Sequence, residues 1–242
     1  MAADFDAPVS KVLRPSHLAH VVLRTSNLRR MVSFYTTFLG GTVTHENEVL
    51  SFITYDEEHH RIAILELPDT APKIATSSGL DHISFSFDTL ADLFLSYRHR
   101  KQHGIEPVWC VNHGPTTSIY YKDPDENVLE TQVDNFDTVA EASEFMRSAN
   151  FAENPIGTDI DPEDLIKRIE SGEDETSLKT RNEIGPRGVP DFSAMKAKEW
   201  RTPGESTPNG VKKALGSSQP NKFCGFRDFV GLSRARMSSG SI

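Results

Sequence analysis

The sequence predicts an α+β fold of two βαβββ modules. Two observations carry this: an internal repeat, and a switch between hydrophobic periods inside each copy. Leu80-Asp81-His82-Ile83 echoes Leu18-Ala19-His20-Val21. Eight residues after each histidine stands a leucine, Leu28 or Leu90, and fifteen after each a tyrosine, Tyr35 or Tyr97. A glycine then closes each expected helix, Gly40 and Gly104. Spacing held this closely makes both copies the same supersecondary unit.

Taken in order, residues 1–14 read as a flexible arm. Leu18–Arg24 is rich in β-branched residues and predicts a strand. Thr25–Asn27 caps a helix whose apolar face is Leu28, Met31, Val32, Tyr35, Phe38 and Leu39, and Gly40-Gly41 stops it. Strands are expected at Thr42–Thr44, Leu50–Tyr55 and Arg61–Leu67, completing a module over 15–67. The second module, 80–133, repeats the order, with strands expected at Glu106–Cys110, Thr116–Lys122 and Asn127–Val133. Residues 134–200 form a helical extension: Thr138 with Glu141 makes a capping box for a helix to about Arg147. Asp161-Pro162 opens another, with Leu165, Ile166 and Ile169 as its apolar face and Gly172 as its stop. Past about Thr176 the chain turns to Gly, Pro, Ser, Lys and Asn. Residues 202–222 look disordered within a basic tail, 201–242, that carries an aromatic cluster at Phe223, Phe226 and Phe229.

Composition narrows the function. Of the 242 residues 37% are hydrophobic and 25% charged, a soluble chain with a thin apolar fraction. The net charge of −9 is uneven, because residues 196–242 hold nine Lys or Arg against three Asp or Glu. The body is therefore strongly acidic, which argues against nucleic acid as a partner. The two cysteines, Cys110 and Cys224, predict no disulfide framework and a reducing compartment. No secretory signal and no apolar run of membrane-spanning length is evident. A cytoplasmic protein without membrane or nucleic-acid partners is expected, and the extension after Val133 could mediate a homodimer.

The chemistry gathers at the histidines. His20 and His82 hold equivalent places in the two copies, each among apolar residues, and burying an imidazole twice without a partner is costly. A shared metal supplies the partner. Glu130, closing the apolar run Val128-Leu129, follows the same logic. Two histidines and a carboxylate are the ligand set of non-haem Fe(II) oxygenases, which keep positions open for substrate and dioxygen. First-strand histidines and last-strand carboxylates would converge in a metal-binding cleft between paired sheets.

His113, Ile119-Tyr120, Asp123-Pro124 and Glu130 reproduce in order the C-terminal signature of the type I extradiol dioxygenases. Over residues 15–133 the chain resembles the vicinal-oxygen-chelate superfamily of glyoxalase I, bleomycin-resistance proteins and these ring-cleaving enzymes. A His-His pair ahead of an apolar strand, His59-His60-Arg61-Ile62-Ala63, is a second shared feature. The sequence departs from the pattern at Glu126, where the family has Gly or Pro. The resemblance implies that His20, His82 and Glu130 hold Fe(II), or Mn(II), which accepts the same ligands. It implies that His60 is the acid–base residue, and that Tyr120 and His113 hydrogen-bond the substrate oxygens. The implied substrates are a catechol-like aromatic diol and dioxygen, the ring opening beside the diol. A catechol binds through two adjacent oxygens, and deprotonating it needs a base with a pKa of about 7.

A rival set remains open. If Arg61–Leu67 is one strand, His60, Ile62, Ile64 and Glu66 share a face. Glu66 is then the repeat's counterpart of Glu130, standing 46 residues after His20 as Glu130 stands 48 after His82. Four protein ligands, His20, Glu66, His82 and Glu130, resemble glyoxalase I and favour Zn or Ni and isomerase or lyase chemistry. A metal-free binding relative is the third reading. Strand parity suggests Val22, Phe52 and Phe85 as an apolar lining. The identity of the diol is not legible.

Overall fold

The computed structural model describes residues 10–200, with 6, 8, 202 and 203. The expected disorder beyond 203 and the cluster at Phe223, Phe226 and Phe229 lie outside the described residues. The first module runs β1 (Val21–Thr25), α1 (Leu28–Leu39), β2 (Thr42–Glu46), β3 (Leu50–Thr54) and β4 (Ile62–Glu66). The second runs β5 (His82–Phe87), α2 (Leu90–Gln102), β6 (Trp109–Asn112), β7 (Thr116–Lys122) and β8 (Val128–Asp134). Each module forms one sheet, in order β1-β4-β3-β2 and β5-β8-β7-β6, with the first and last strands parallel. The two sheets thus have the same topology, as the repeat requires.

Local chemistry sets the ends. The Asn27 side chain accepts from Arg30 N at the start of α1, and Gly40 ends it at φ 62, a conformation glycine adopts without strain. Thr89 caps α2 through Asp92 N. The largest core lies on the helix side of both sheets. It joins Met31, Phe34 and Phe38 of α1 to Leu93 and Phe94 of α2 and to Ile53, Ile64, Tyr121, Leu129 and Val133 of the strands. Two polar contacts tie the modules through it: Tyr35 Oη donates to Asp123 Oδ2 at 2.9 Å, and Arg100 Nε donates to Phe38 O at 2.9 Å. The Arg100 guanidinium also lies 4.1 Å over the Phe38 ring.

Two expected strands shift most. β1 starts at Val21, so His20 precedes the strand and is exposed. The expected Glu106–Cys110 strand is instead Trp109–Asn112, because pairing with Thr117–Tyr120 sets its register and Pro107 stands ahead of it. Beyond β8 come α3 (Val139–Met146), α4 (Ala149–Glu153), β9 (Thr158–Asp159), α5 (Pro162–Glu170) and α6 (Glu175–Lys179). The capping box at Thr138 and the Asp161-Pro162 start are present. Neither β9, which pairs with β6 as a fifth strand, nor α6 was expected. The chain from Thr180 to Trp200 has no helix or strand, yet it packs: Arg181 and Trp200 are buried. Among the described residues no helix is long and apolar enough to cross a membrane.

Candidate active site

Because β-strand side chains alternate, each sheet has a helix face and an opposite face. On the opposite face of the second module, cross-strand pairing lines up Ser84, Glu130, Tyr120 and Trp109 in one row from β5 to β6. The equivalent row in the first module is Val22, Ala63, Phe52 and His45. The register therefore puts Ala63 opposite the place of Glu130. Glu66 lies three positions further along, and an odd offset turns it to the helix face with Ile62 and Ile64. There Glu66 Oε2 accepts from Leu28 N at 2.6 Å, at the positive N-terminal end of α1. The expected equivalence of Glu66 and Glu130 is thus corrected: spacing along the chain counted the loops, and the sheet register does not. Phe85 is likewise corrected. It faces the core, 6.2 Å from the Phe38 ring and 5.9 Å from Tyr55, and Ser84 takes the open face beside Glu130.

Glu130 is buried, and His82 Nε2 stands 3.1 Å from its Oε2. Burial alone would raise the Glu130 pKa. Hydrogen bonds from His82, Ser118 and Ser84 outweigh it and hold the carboxyl at about 2. The same pair works the other way on His82, which Glu130 first, and then Asp81 at 2.7 Å from Nδ1, push up to about 9. A divalent ion would take the place of the proton that His82 holds against this anionic carboxylate. At 3.1 Å apart, His82 Nε2 and Glu130 Oε2 are both donors that could reach a single ion. Asp81 on the far nitrogen would orient the ring, as outer partners of metal-bound histidines do.

Next in the row, Tyr120 Oη lies 3.0 Å from His113 Nε2. The other ring nitrogen, Nδ1, faces the Ile156 carbonyl and must carry the proton, so Nε2 accepts from the tyrosine. Burial lowers the His113 pKa and keeps the ring neutral. Burial and then the Glu130 charge raise that of Tyr120, which stays a phenol.

His60 belongs to the first module's open side. It stacks on Phe52 at 4.3 Å, meets the His20 ring at 4.4 Å, and its Nδ1 contacts His59 Nδ1. Burial first, then His20 and His59, lowers its pKa, which leaves a neutral base. Val22, of the expected lining, is half exposed beside Ala63. His20 rests on His60. Among the described residues no three His, Cys, Asp or Glu side chains gather as a metal group. The structure thus brings together His82 with Glu130, Tyr120 with His113, and His20 with His60.

Several residues went unread in the sequence. Ser84 and Ser118 stand two positions from His82 and Tyr120 in alternating strands, so parity could have found them. Trp109 stacks on Tyr120 at 5.0 Å and Phe192 packs on both rings. Arg181, buried, donates to the carbonyls of His113, Asn154 and Asn150 and so pins the His113 loop to α4. Nothing local marks these three. The departure at Glu126 has a conformational reading: it holds φ 66, which glycine adopts most easily, and Lys122 Nζ pairs with it at 2.7 Å.

Residues 17–131 match the family described as the Glyoxalase/Bleomycin resistance protein/Dioxygenase superfamily. The chain is similar to biphenyl-2,3-diol 1,2-dioxygenase 2 of Rhodococcus globerulus, 43% identical over 155 residues, 64% of this chain and 82% of the relative. It is similar to biphenyl-2,3-diol 1,2-dioxygenase 3 of the same organism, 41% identical over 169 residues, 68% of this chain and 87% of that one. Among solved structures, a glyoxylase/bleomycin resistance protein/dioxygenase domain from Frankia sp. EAN1pec aligns at a TM-score of 0.43 with 21% identity. It covers 50% of this chain and 99% of that one.

Proposed function

Because the chain belongs to the glyoxalase/bleomycin resistance/dioxygenase superfamily, with biphenyl-2,3-diol dioxygenases among its relatives, we propose that it is an Fe(II)-dependent extradiol dioxygenase. Its substrate would be a catechol-like diol, cleaved with dioxygen. The observation that carries this is the row Ser84, Glu130, Tyr120, with His82 on the carboxylate and His113 on the phenol. It sets an anionic metal donor on β8 beside a neutral phenol on β7, whose oxygen, with its proton directed at His113, can accept from a diol hydroxyl. His82 and Glu130 would hold the iron, with His20 as third donor. Bound there, Fe(II) would supply a Lewis acid for the diol and an electron source for dioxygen. Mn(II) accepts the same donors.

The chain's own residues have distinct work. His60, neutral and with Nδ1 engaged by His59, offers Nε2 to take the proton of a catechol hydroxyl and return it later. Tyr120 Oη orients the diol oxygen, and His113, fixed by Ile156, sets the direction of that phenol. Glu66, engaged at the start of α1, speaks against the four-ligand isomerase reading.

The test is ring cleavage. The protein is loaded with Fe(II) without oxygen, given catechol and biphenyl-2,3-diol, and exposed to air. Oxygen uptake with a yellow ring-fission product is expected, lost in Glu130→Ala and His60→Ala. Glu130→Ala should also lose bound iron, whereas His60→Ala should keep it. No uptake from protein holding one metal per chain would overturn the proposal.

A further inference from the structure

The open face of the second module has its own small apolar cluster. Val111, Tyr120 and Val128 are its buried members, with Val108, Trp109 and Phe192 packed against them. Phe192 is the one member from outside residues 108–128, carried by the irregular segment from Thr180 to Trp200. That segment is fastened on both sides of it. Before it, Arg187 donates to Gly157 O and Asp159 Oδ1 and lies 5.5 Å over the Trp109 ring. After it, Lys122 Nζ donates to Met195 O, and Trp200 is buried against Phe34 of α1. The ring centre is 5.3 Å from that of Tyr120 and 5.6 Å from that of Trp109, yet Phe192 is only partly buried. A phenyl ring serving the core alone would be enclosed. This one is held in place by anchors on either side and half open, beside the phenol that orients the diol.

We propose that Phe192, with Trp109, is the wall that limits the size of the aromatic substrate. This rests on the dioxygenase reading above. A diol whose oxygen meets Tyr120 Oη presents its ring to the neighbours of that phenol. The ring in this position that comes from outside the repeat, and so can differ without disturbing either sheet, is Phe192. Hydrophobic walls discriminate by steric fit, and removing a ring's worth of volume admits a larger ligand.

The experiment compares kcat/KM for biphenyl-2,3-diol and for catechol in iron-loaded wild type, Phe192→Ala and Phe192→Trp. Metal content and far-UV circular dichroism are checked for each. Phe192→Ala should shift the ratio toward biphenyl-2,3-diol by about tenfold, and Phe192→Trp should shift it toward catechol. If Phe192→Ala does not fold, Phe192→Leu takes its place, with a smaller shift in the same direction. Ratios within twofold of wild type in every folded variant, or a shift of opposite sign, overturn this inference and leave the dioxygenase reading standing. Wild type that cleaves neither diol and binds neither without oxygen, read by tryptophan emission, overturns both.

Discussion

At the scale of single residues, chemistry follows side-chain direction. Tyr120 and Tyr121 are neighbours of the same type, but one faces Glu130 while the other lies in the helix-side core. Only the first can meet a substrate, so Tyr120→Phe should lower kcat roughly a hundredfold while leaving bound iron unchanged. Oxygen-uptake kinetics beside metal analysis checks this, and full kcat in the variant would remove Tyr120 from the reaction. The same parity explains what the sequence revealed at this scale. His82, Glu130, His113 and Tyr120 were legible because each sits in a motif of fixed spacing, and the structure pairs them two by two. Phe192 and Arg181 were not, since the site residues they touch, Tyr120 and His113, lie more than 60 residues away in the chain. Glu66 misled for a physical reason: three positions along a strand reverses a side chain, and chain distance is blind to that.

At the scale of elements, Glu66 acts as a remote cap. The first turn of a helix leaves backbone N–H groups unpaired, and α1 has no acidic residue in its own first turn. The carboxylate reaches Leu28 N from the end of β4. Glu66→Ala should therefore cost about 1 kcal/mol of stability, with iron content and turnover intact. Denaturant unfolding alongside metal analysis decides it, since loss of metal would restore Glu66 as a ligand. Two of the four helices of the extension, α3 and α5, were readable from their caps at Thr138 and Asp161, because capping is local chemistry. β9 is two residues long and exists through its pairing with β6, so no periodicity could have announced it.

At the scale of the whole molecule, the repeat gave both modules their topology, but how they join was not legible, because the joining contacts are tertiary. One is titratable. Asp123, at the β7–β8 turn, is almost fully buried and receives Tyr35 Oη from the first module. Burial raises its pKa from 3.8 to about 6 against the hydrogen bonds that lower it. A raised carboxyl pKa favours the protonated form in the fold. Its contribution is fully present below the unfolded value and is lost as pH climbs through about 6. The wild type should thus lose up to about 3 kcal/mol relative to Asp123→Asn between about pH 4 and about pH 7. Urea midpoints at the two pH values measure it, and a constant difference would show that Asp123 does not titrate there.

Arg181 carries a consequence for where this enzyme ends. Its guanidinium grips the carbonyl of His113 from beyond α6, and Gly157 sits so close to Asn112 O that a methyl group there would stand 2.2 Å from it. A gene trimmed to the repeat alone would keep all six residues assigned to the chemistry and discard what aims two of them. For anyone shortening, fusing or permuting this chain, the packed body extends to Trp200, well past the last strand of the second module.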